Sequence, residues 1–341
     1  MMTLMEQEAR QAPAIVAQQL SENIGVINEL SQIIQQQPPT FVMMIARGSS
    51  DHAATFAKYL FESQLGWVTA SAAPSIQTVY QQSLQTQNSL VIGISQSGQS
   101  DDICSAMQAA KDNGAITVAL VNVIDSPLAH IADHVIPLHA GEEQAVAATK
   151  SYIASCTALI MLVARLKKDT ALLQALTQLP DYLQQACDCD WSTFIETFTP
   201  VNDTLVCGRG FAYPIAQESA LKFKETCGLH AESFSSAEVL HGPFALMKPN
   251  YPTLLYIQND ASLTSNLALI EKISDIEAQL LIAAAEGLID QPCLPLPKSL
   301  HPICDPLVAL QAFYIATAQL AIAKGLNPDQ PAHLQKVTNT R

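Results

Sequence analysis

Apolar positions recur at helical spacing through residues 6–36, most clearly in IVAQQLSENIGVINELSQII, and the run stops at QQQPP because proline cannot continue a helix. The pattern then changes. Short unbroken apolar runs, FVMMIARGSS (41–50), SLVIGISQSGQS (89–100), AITVALVN (115–122) and HVIPL (134–138), alternate with amphipathic stretches such as DHAATFAKYLFESQLG and DDICSAMQAAKDNG. Buried strands separated by helices predict βαβ units and a parallel sheet with helices on both faces. A long helical stretch follows, from about Ala147 through TALLQALTQLPDYLQQA, and the strand–loop–helix plan then restarts. DTLVCGRGFAYPIAQESALKFKETCG (203–228) repeats the order of TFVMMIARGSSDHAATFAKYLFESQLG (40–66): an apolar strand, Arg-Gly, then a helix of similar length. TLLYIQND (253–260), QLLIAAAEG (279–287) and CLPLP (293–297) read as further short strands. The pattern predicts an internal duplication of one doubly wound α/β domain. The expected order is a helical segment over 1–37, a first α/β domain over 38–169, a helical linker over 170–199, and a second α/β domain with a C-terminal tail over 200–341.

Composition narrows the function. With 49% hydrophobic and 14% charged residues among 341, the chain can bury a sizeable core. A net charge of −14 argues against nucleic acid, which needs a Lys/Arg surface. It does not exclude a small anion, because a local site can be positive inside an acidic whole. The longest apolar run considered, CTALIMLVA (156–164), is short of the ~20 residues that cross a bilayer, and the N-terminus lacks a basic, then apolar, leader. A cytoplasmic protein without membrane contact is expected. Eight cysteines are scattered, with Cys187 and Cys189 the one close pair, which predicts reduced thiols and no zinc site. GRGFAYP lacks the GxGxxG pattern, so neither a metal nor a nucleotide cofactor is expected.

The loop SQSGQS, between an apolar strand and a helix, is the first candidate for chemistry. Such loops lie at the C-terminal edge of a parallel sheet, where α/β folds bind ligands. Ser95, Ser97 and Ser100 offer hydroxyls, Gly98 permits close backbone approach, and the helix N-terminus offers unpaired N–H groups and a positive dipole end. Together these make a phosphate cradle without a lysine. The plainer reading is a capped helix, since Ser and Asp are common N-caps. A second loop, RGSSD (47–51), repeats the Gly-Ser chemistry and tips the balance toward a ligand. Asp101 and Asp102 would repel an anion, so they are expected to point away from it.

With RGSS, SQSGQSDD, AVAATKSY (145–152), GRGFAYPIAQESALKFKE (208–225), HAESFSSAEVLHGPFAL (230–246) and DQPAHLQKVT (329–338) in this order, the chain resembles the SIS (sugar isomerase) domain family, and within it the isomerase half of glucosamine-6-phosphate synthases. The resemblance spans about residues 40–341 and implies two tandem SIS domains, each a flavodoxin-like parallel sheet flanked by helices, in a homodimer. It implies phosphate contacts at Ser95, Gln96, Ser97 and Ser100, and sugar contacts at Ser49, Ser50 and the backbone near Val146. It implies that Glu225 moves a proton between C1 and C2, with Lys222 on the same helix face three residues earlier. It further implies that His241 opens the sugar ring from the partner subunit, and that Lys336 closes over the open-chain sugar. The chain departs from the synthases at Arg47, where they carry Cys, at Leu240, where they carry Lys, and at Ala237, where they carry Gly. About 40 residues precede the first SIS strand and a glutaminase domain is missing from them, which favours a relative without an ammonia channel.

The residue chemistry is compatible with these roles. A glutamate in a water-poor pocket can carry a proton between adjacent carbons, and a histidine can open a ring near neutral pH. Read alone, Glu225 is a surface helix residue paired with Lys222, His241 a loop histidine, and Lys336 part of a basic tail. Leu334 and Val337 suggest that the tail docks and acts as a lid. With no ammonia source, the reaction is expected to run as glucosamine-6-phosphate deamination, giving fructose 6-phosphate and ammonia. A fructosamine-6-phosphate deglycase or a plain phosphosugar isomerase would use the same residues. A sugar-phosphate-sensing protein, or a partner of a separate glutaminase subunit, are the readings from other classes.

Overall fold

The computed structural model describes residues 2–336, and its strands form two all-parallel sheets. The chain divides into two compact units. Among the described residues, one consists of Ala14–Glu143, Lys150–Thr177, Gln335 and Lys336; the other of residues 2–13, Gln144–Thr149 and Gln178–Leu334. The N-terminal helices are α1 (Leu4–Ala9), α2 (Ala12–Glu22) and α3 (Ile24–Gln36). They fill the helical segment that periodicity predicts, with two breaks that the pattern does not mark. Pro13 suits the first turn of α2 but not a helix interior. At the α2–α3 junction the buried Asn23 donates its side-chain amide to the Pro137 carbonyl at 2.8 Å and meets His139 Nε2 at 2.9 Å.

The five-stranded unit continues with β1 (Val42–Ile45), α4 (Ser49–Leu65), β2 (Thr69–Ser71), α5 (Ser75–Thr78), β3 (Leu90–Ser95), α6 (Asp101–Asp112), β4 (Ile116–Val121), α7 (Pro127–Ile131), β5 (His134–Pro137) and α8 (Lys150–Lys167). Its sheet order is β2-β1-β3-β4-β5, the flavodoxin-like order. Every residue of β1 and β3 is buried, as central strands covered on both faces require. One face of the sheet is filled by Ile45, Val91, Met107, Val121 and Leu128. The helical stretch expected from about Ala147 is two helices: Lys168, with φ 56°, ends the first, and Asp169 accepts from Leu172 N–H at 3.0 Å at the start of α9 (Thr170–Cys187).

The four-stranded unit carries α10 (Ser192–Phe198), β6 (Asp203–Gly208), α11 (Ala212–Cys227), β7 (His230–Ser235), β8 (Pro252–Tyr256), α12 (Leu263–Asp275), β9 (Gln279–Ala283) and α13 (Asp305–Ala323). Its order, β7-β6-β8-β9, repeats the first four places of the other sheet. Phe223 of α11 sits between Phe198 of α10 and Phe313 of α13, with ring centroids 5.1 and 5.2 Å away. Among the described residues α13 is the one helix long and apolar enough to cross a membrane, longer than the apolar run at 156–164, and most of it is buried inside the protein. The earliest segment of the chain is tied to this late region. Leu4 and Met5 N–H donate to the Asp329 carboxylate at 2.9 and 2.7 Å, and Gln311 donates to the Ala9 carbonyl at 2.9 Å.

Two strands lie outside the apolar runs, β2 and β7, each pairing on one side with the first strand of its sheet. CLPLP is reduced to a single bridge between Ala283 and Leu294, because Pro295 and Pro297 have no N–H to offer a ladder.

Candidate active site

In the five-stranded unit β1 and β3 are neighbours at the point where strand order reverses, so the loops after them flank the crevice that α/β sheets use for ligands. After β1, Gly48 turns with φ 55°, and Ser49 and Ser50, half-buried, open α4. The Gly48 carbonyl accepts from Asp51 and His52 N–H at 2.9 and 3.3 Å. After β3, the buried Ser95 Oγ accepts from Gly98 N–H at 3.1 Å, and Ser97 Oγ accepts from Gln99 N–H at 3.4 Å. Both hydroxyls act as acceptors inside the loop, which leaves each O–H able to donate outward. Ser100 occupies the N-cap of α6 but makes no capping bond, so its hydroxyl is not spent on the helix. Gln96 is half-buried, and its carbonyl accepts from Asn122 N–H at 3.1 Å.

Gly98 is required where it stands. Its φ is 63°, and a Cβ there would lie 2.1 Å from Ser126 Oγ and 2.6 Å from Ser126 Cβ. The two acidic residues of α6 part company. Asp101 is exposed, whereas Asp102 is 1% exposed and held by Arg47, with Nε at 2.7 Å and Nη2 at 2.5 Å from Oδ2.

Lys336 also belongs to the five-stranded unit. Its ammonium meets Glu143 Oε2 at 2.9 Å. The Glu143 side chain is fully buried and also accepts from Ser151 N–H at 3.2 Å and Ser151 Oγ at 2.8 Å. Beside it, the buried Lys150 donates to the Glu142 carbonyl at 2.5 Å. Val337 lies outside the described residues. Leu334 is 44% exposed and ends the four-stranded unit.

The four-stranded unit holds the other candidates. Its helix α11 starts hard against β6: a Cβ on Gly208 would stand 2.4 Å from the Ala212 carbonyl oxygen. Further along, Glu218, Lys222 and Glu225 follow helical spacing and share one face. Lys222 is fully buried, with its ammonium 2.5 Å from Glu225 Oε2 and 3.3 Å from Glu218 Oε1. Glu218 is fully buried too and accepts from the Tyr314 hydroxyl at 3.0 Å. Burial pulls the Lys222 ammonium toward losing its proton, but the charges of Glu218 and Glu225 outweigh burial and hold its pKa above the ordinary lysine value. Lys222 is therefore a fixed cation at neutral pH and no base. Glu225 is about one-fifth exposed, so its side chain is anchored at one oxygen without being sealed from the surface. A surface ion pair is excluded here.

His241 ends a 3-10 turn, Glu238–His241, and is exposed, as are Leu240 and Leu246 at 42% and 54%. Val146 N–H donates to the Asp329 carbonyl at 3.3 Å, and the preceding Ala145 N–H is held by Glu8 at 3.2 Å. The serine loops and Lys336 thus lie in one unit, and Val146, Lys222, Glu225 and His241 in the other.

Sequence reasoning missed Glu218, Tyr314, Glu143 and the Arg47–Asp102 pair. Glu218 was within reach, because Glu at i−4 and Glu at i+3 of a lysine mark one helix face; the others come from distant parts of the chain. All eight cysteines are free, and burial pushes the Cys207 and Cys227 thiols up to about 12 and about 11. Among the described residues no three His, Cys, Asp or Glu side chains gather as a metal site would need.

Known proteins share this arrangement. A sequence profile of the SIS domain matches residues 40–165 and 198–283, one segment for each sheet. The glutamine–fructose-6-phosphate aminotransferase (isomerizing) of Methanothermobacter thermautotrophicus is 31% identical over 97% of this chain and 56% of its own length, and that of Aquifex aeolicus is 31% identical over 86% and 51%. The chain spans about half the length of the curated relatives it matches. A crystal structure from Silicibacter pomeroyi DSS-3, described as that of a candidate phosphosugar isomerase, superposes with a TM-score of 0.90 at 36% identity, over 96% of this chain and all of that one. The C-terminal domain of glucosamine-fructose-6-phosphate aminotransferase from Francisella tularensis superposes at 0.87 with 26% identity, over 96% and 98%. Two sheets of one strand order, serine-bearing loops at the first sheet's reversal point and a profile match over both halves lead to one conclusion: the chain belongs to the SIS domain family.

Proposed function

We propose that the protein is a phosphosugar isomerase that works as a deaminase, converting glucosamine 6-phosphate and water to fructose 6-phosphate and ammonia. The observation that carries the reading is the Glu225 carboxylate, anchored at 2.5 Å by a fully buried lysine on a side chain that is still about one-fifth exposed. A carboxylate so held keeps one orientation while it takes a proton from one carbon and returns it to the next. In this reading Ser95, Gln96, Ser97 and Ser100 bind the phosphate, and Ser49, Ser50 and the backbone near Val146 bind the sugar. His241 takes the anomeric proton and protonates the ring oxygen. Glu225 removes the C2 proton from the open-chain aldehyde, giving an enolamine, and delivers it to C1, giving a ketimine. Water adds at C2 and ammonia leaves, which yields the ketose. Lys336 adds positive charge near the open chain, and Lys222 holds the Glu225 carboxylate in place.

Exposure of His241 together with Leu240 and Leu246 supports a homodimer in which this segment is covered by a second copy. Amination of the ketose, the reverse direction, is favoured by one observation: the curated relatives described above are named aminotransferases. A panel of hexosamine and hexose 6-phosphates, read for ammonia and for ketose, separates the readings. The deaminase releases both from glucosamine 6-phosphate. Ketose without ammonia from a hexose phosphate points to a plain isomerase. Product from fructose 6-phosphate and ammonium alone points to amination. No turnover anywhere in the panel rejects the enzyme reading in favour of a sensor.

A further inference from the structure

Asp102 is a buried charge that the proposed mechanism leaves unused. Asp102 is the second residue of α6, so its carboxylate lies within the helix turn whose N–H groups and hydroxyls are the proposed phosphate cradle. A carboxylate there competes with a bound anion for the same positive helix end. It cannot relieve the conflict by turning to water, because it is 1% exposed. One oxygen accepts from Ile103 N–H at 2.8 Å, and the other is gripped by two nitrogens of Arg47. Arg47 comes from the far side of the crevice, on the loop that follows β1.

We infer that Arg47 is a positioning residue for the substrate phosphate: by pairing with Asp102 it cancels the negative charge buried beside the phosphate cradle. This rests on the phosphosugar reading above. A guanidinium suits the task better than an ammonium. It stays charged at every working pH, and its planar fork can place two N–H donors on one carboxylate oxygen while its third nitrogen faces the crevice.

The test uses the intact protein, with calorimetric binding of glucosamine 6-phosphate and of inorganic phosphate, steady-state kinetics and urea unfolding. Arg47→Met removes the guanidinium from the buried Asp102 carboxylate. It is expected to weaken binding of both ligands about tenfold, as a nearby like charge does at intermediate dielectric, and to raise KM more than it lowers kcat. Arg47→Met combined with Asp102→Asn removes the repulsion, and is expected to recover most of the lost affinity although the tie between the loops is gone. Arg47→Lys is expected to fall between. A double variant that binds no better than Arg47→Met, or an Arg47→Met protein that binds as wild type does, overturns the charge-cancelling role. Should Arg47→Met fail to fold, the double variant against Asp102→Asn alone makes the same comparison: equal affinities support the inference, and a loss confined to the double variant overturns it. Wild type that binds neither ligand overturns the phosphosugar reading, and the role of Arg47 with it.

Discussion

The two units share a strand order and a turn, yet they equip the turn differently. Both first strands lead into Arg-Gly with the glycine at positive φ, 55° at Gly48 and 61° at Gly210. Past that point Ser49 and Ser50 follow in one unit, and Phe211 and Ala212 in the other. The next loop diverges further. After β3 the serines accept from loop N–H groups, which leaves their hydroxyl protons able to donate. After β8, Asp260 takes the N–H and hydroxyl of Ser262 at 2.8 and 2.6 Å, and also the side-chain amide of Gln258. The four-stranded unit has thereby built an anion of its own into the mouth of α12. Its candidate chemistry has moved to the body of α11, where the triad Glu218, Lys222 and Glu225 lies. A duplicated fold keeps its sheet and its turns, while each copy commits a different part of the βα unit to function.

The sharpest way to break this division of labour is Glu225→Gln. It is expected to lower turnover by about 10²–10⁴-fold while phosphosugar binding, measured by calorimetry, changes little. Equal losses of turnover and binding would place Glu225 with the phosphate residues instead. Next in size is Lys222→Met, which strands the fully buried Glu218 beside Tyr314. About 3–5 kcal/mol of stability is expected to be lost in urea unfolding, and adding Glu218→Gln should restore much of it. The pH dependence has a definite sign. The folded-state pKa of Lys222 is raised above the ordinary 10.5, so its contribution is complete below that value and disappears as pH climbs through the folded-state pKa. Wild type should therefore lose its stability margin over Lys222→Met in alkali and keep it in mild acid.

A smaller pair of effects compares the loops directly. Gly98→Ala meets both a positive φ and the Ser126 side chain at 2.1 Å, whereas Gly210→Ala meets a positive φ and the Gln258 amide at 3.2 Å, the end of a flexible side chain. About 1–3 kcal/mol of strain is expected for the first and less for the second, with phosphate affinity reduced only in the first. The smallest effect is that of Glu143→Gln, which keeps the acceptor for Ser151 but removes the charge opposite Lys336. Turnover is expected to fall less than tenfold, and tryptic cleavage after Lys336 to quicken.

Legibility in the sequence followed the range of the interactions. β1 and β3 were readable because a buried parallel strand must be apolar throughout, and their glycine-serine loops because the turn admits few residue types. β2 and β7 were not. TAS has three residues, and HAESFS mixes polar and apolar positions, so neither stands out as a buried run. The helical run over 6–36 was readable, but its break at Asn23 was not, because the side chain's partners, Pro137 and His139, are more than a hundred residues away. Glu225 and Lys222 were found, since three residues along a helix is a local rule. Asp102 was expected only to avoid the anion, and its partner Arg47, 55 positions away, is the part that no local rule supplies.

The bonds from Leu4 and Met5 to Asp329, and from Ala9 to Gln311, have a consequence for biosynthesis. As the chain emerges from the ribosome, everything that builds the five-stranded sheet is available by the time residue 177 has left the exit tunnel. The opening helix must wait through more than a hundred further peptide bonds for the apolar face of α13 that covers it. One half of the protein can mature early in translation, and the half carrying Glu225 cannot close until Asp329 has been made.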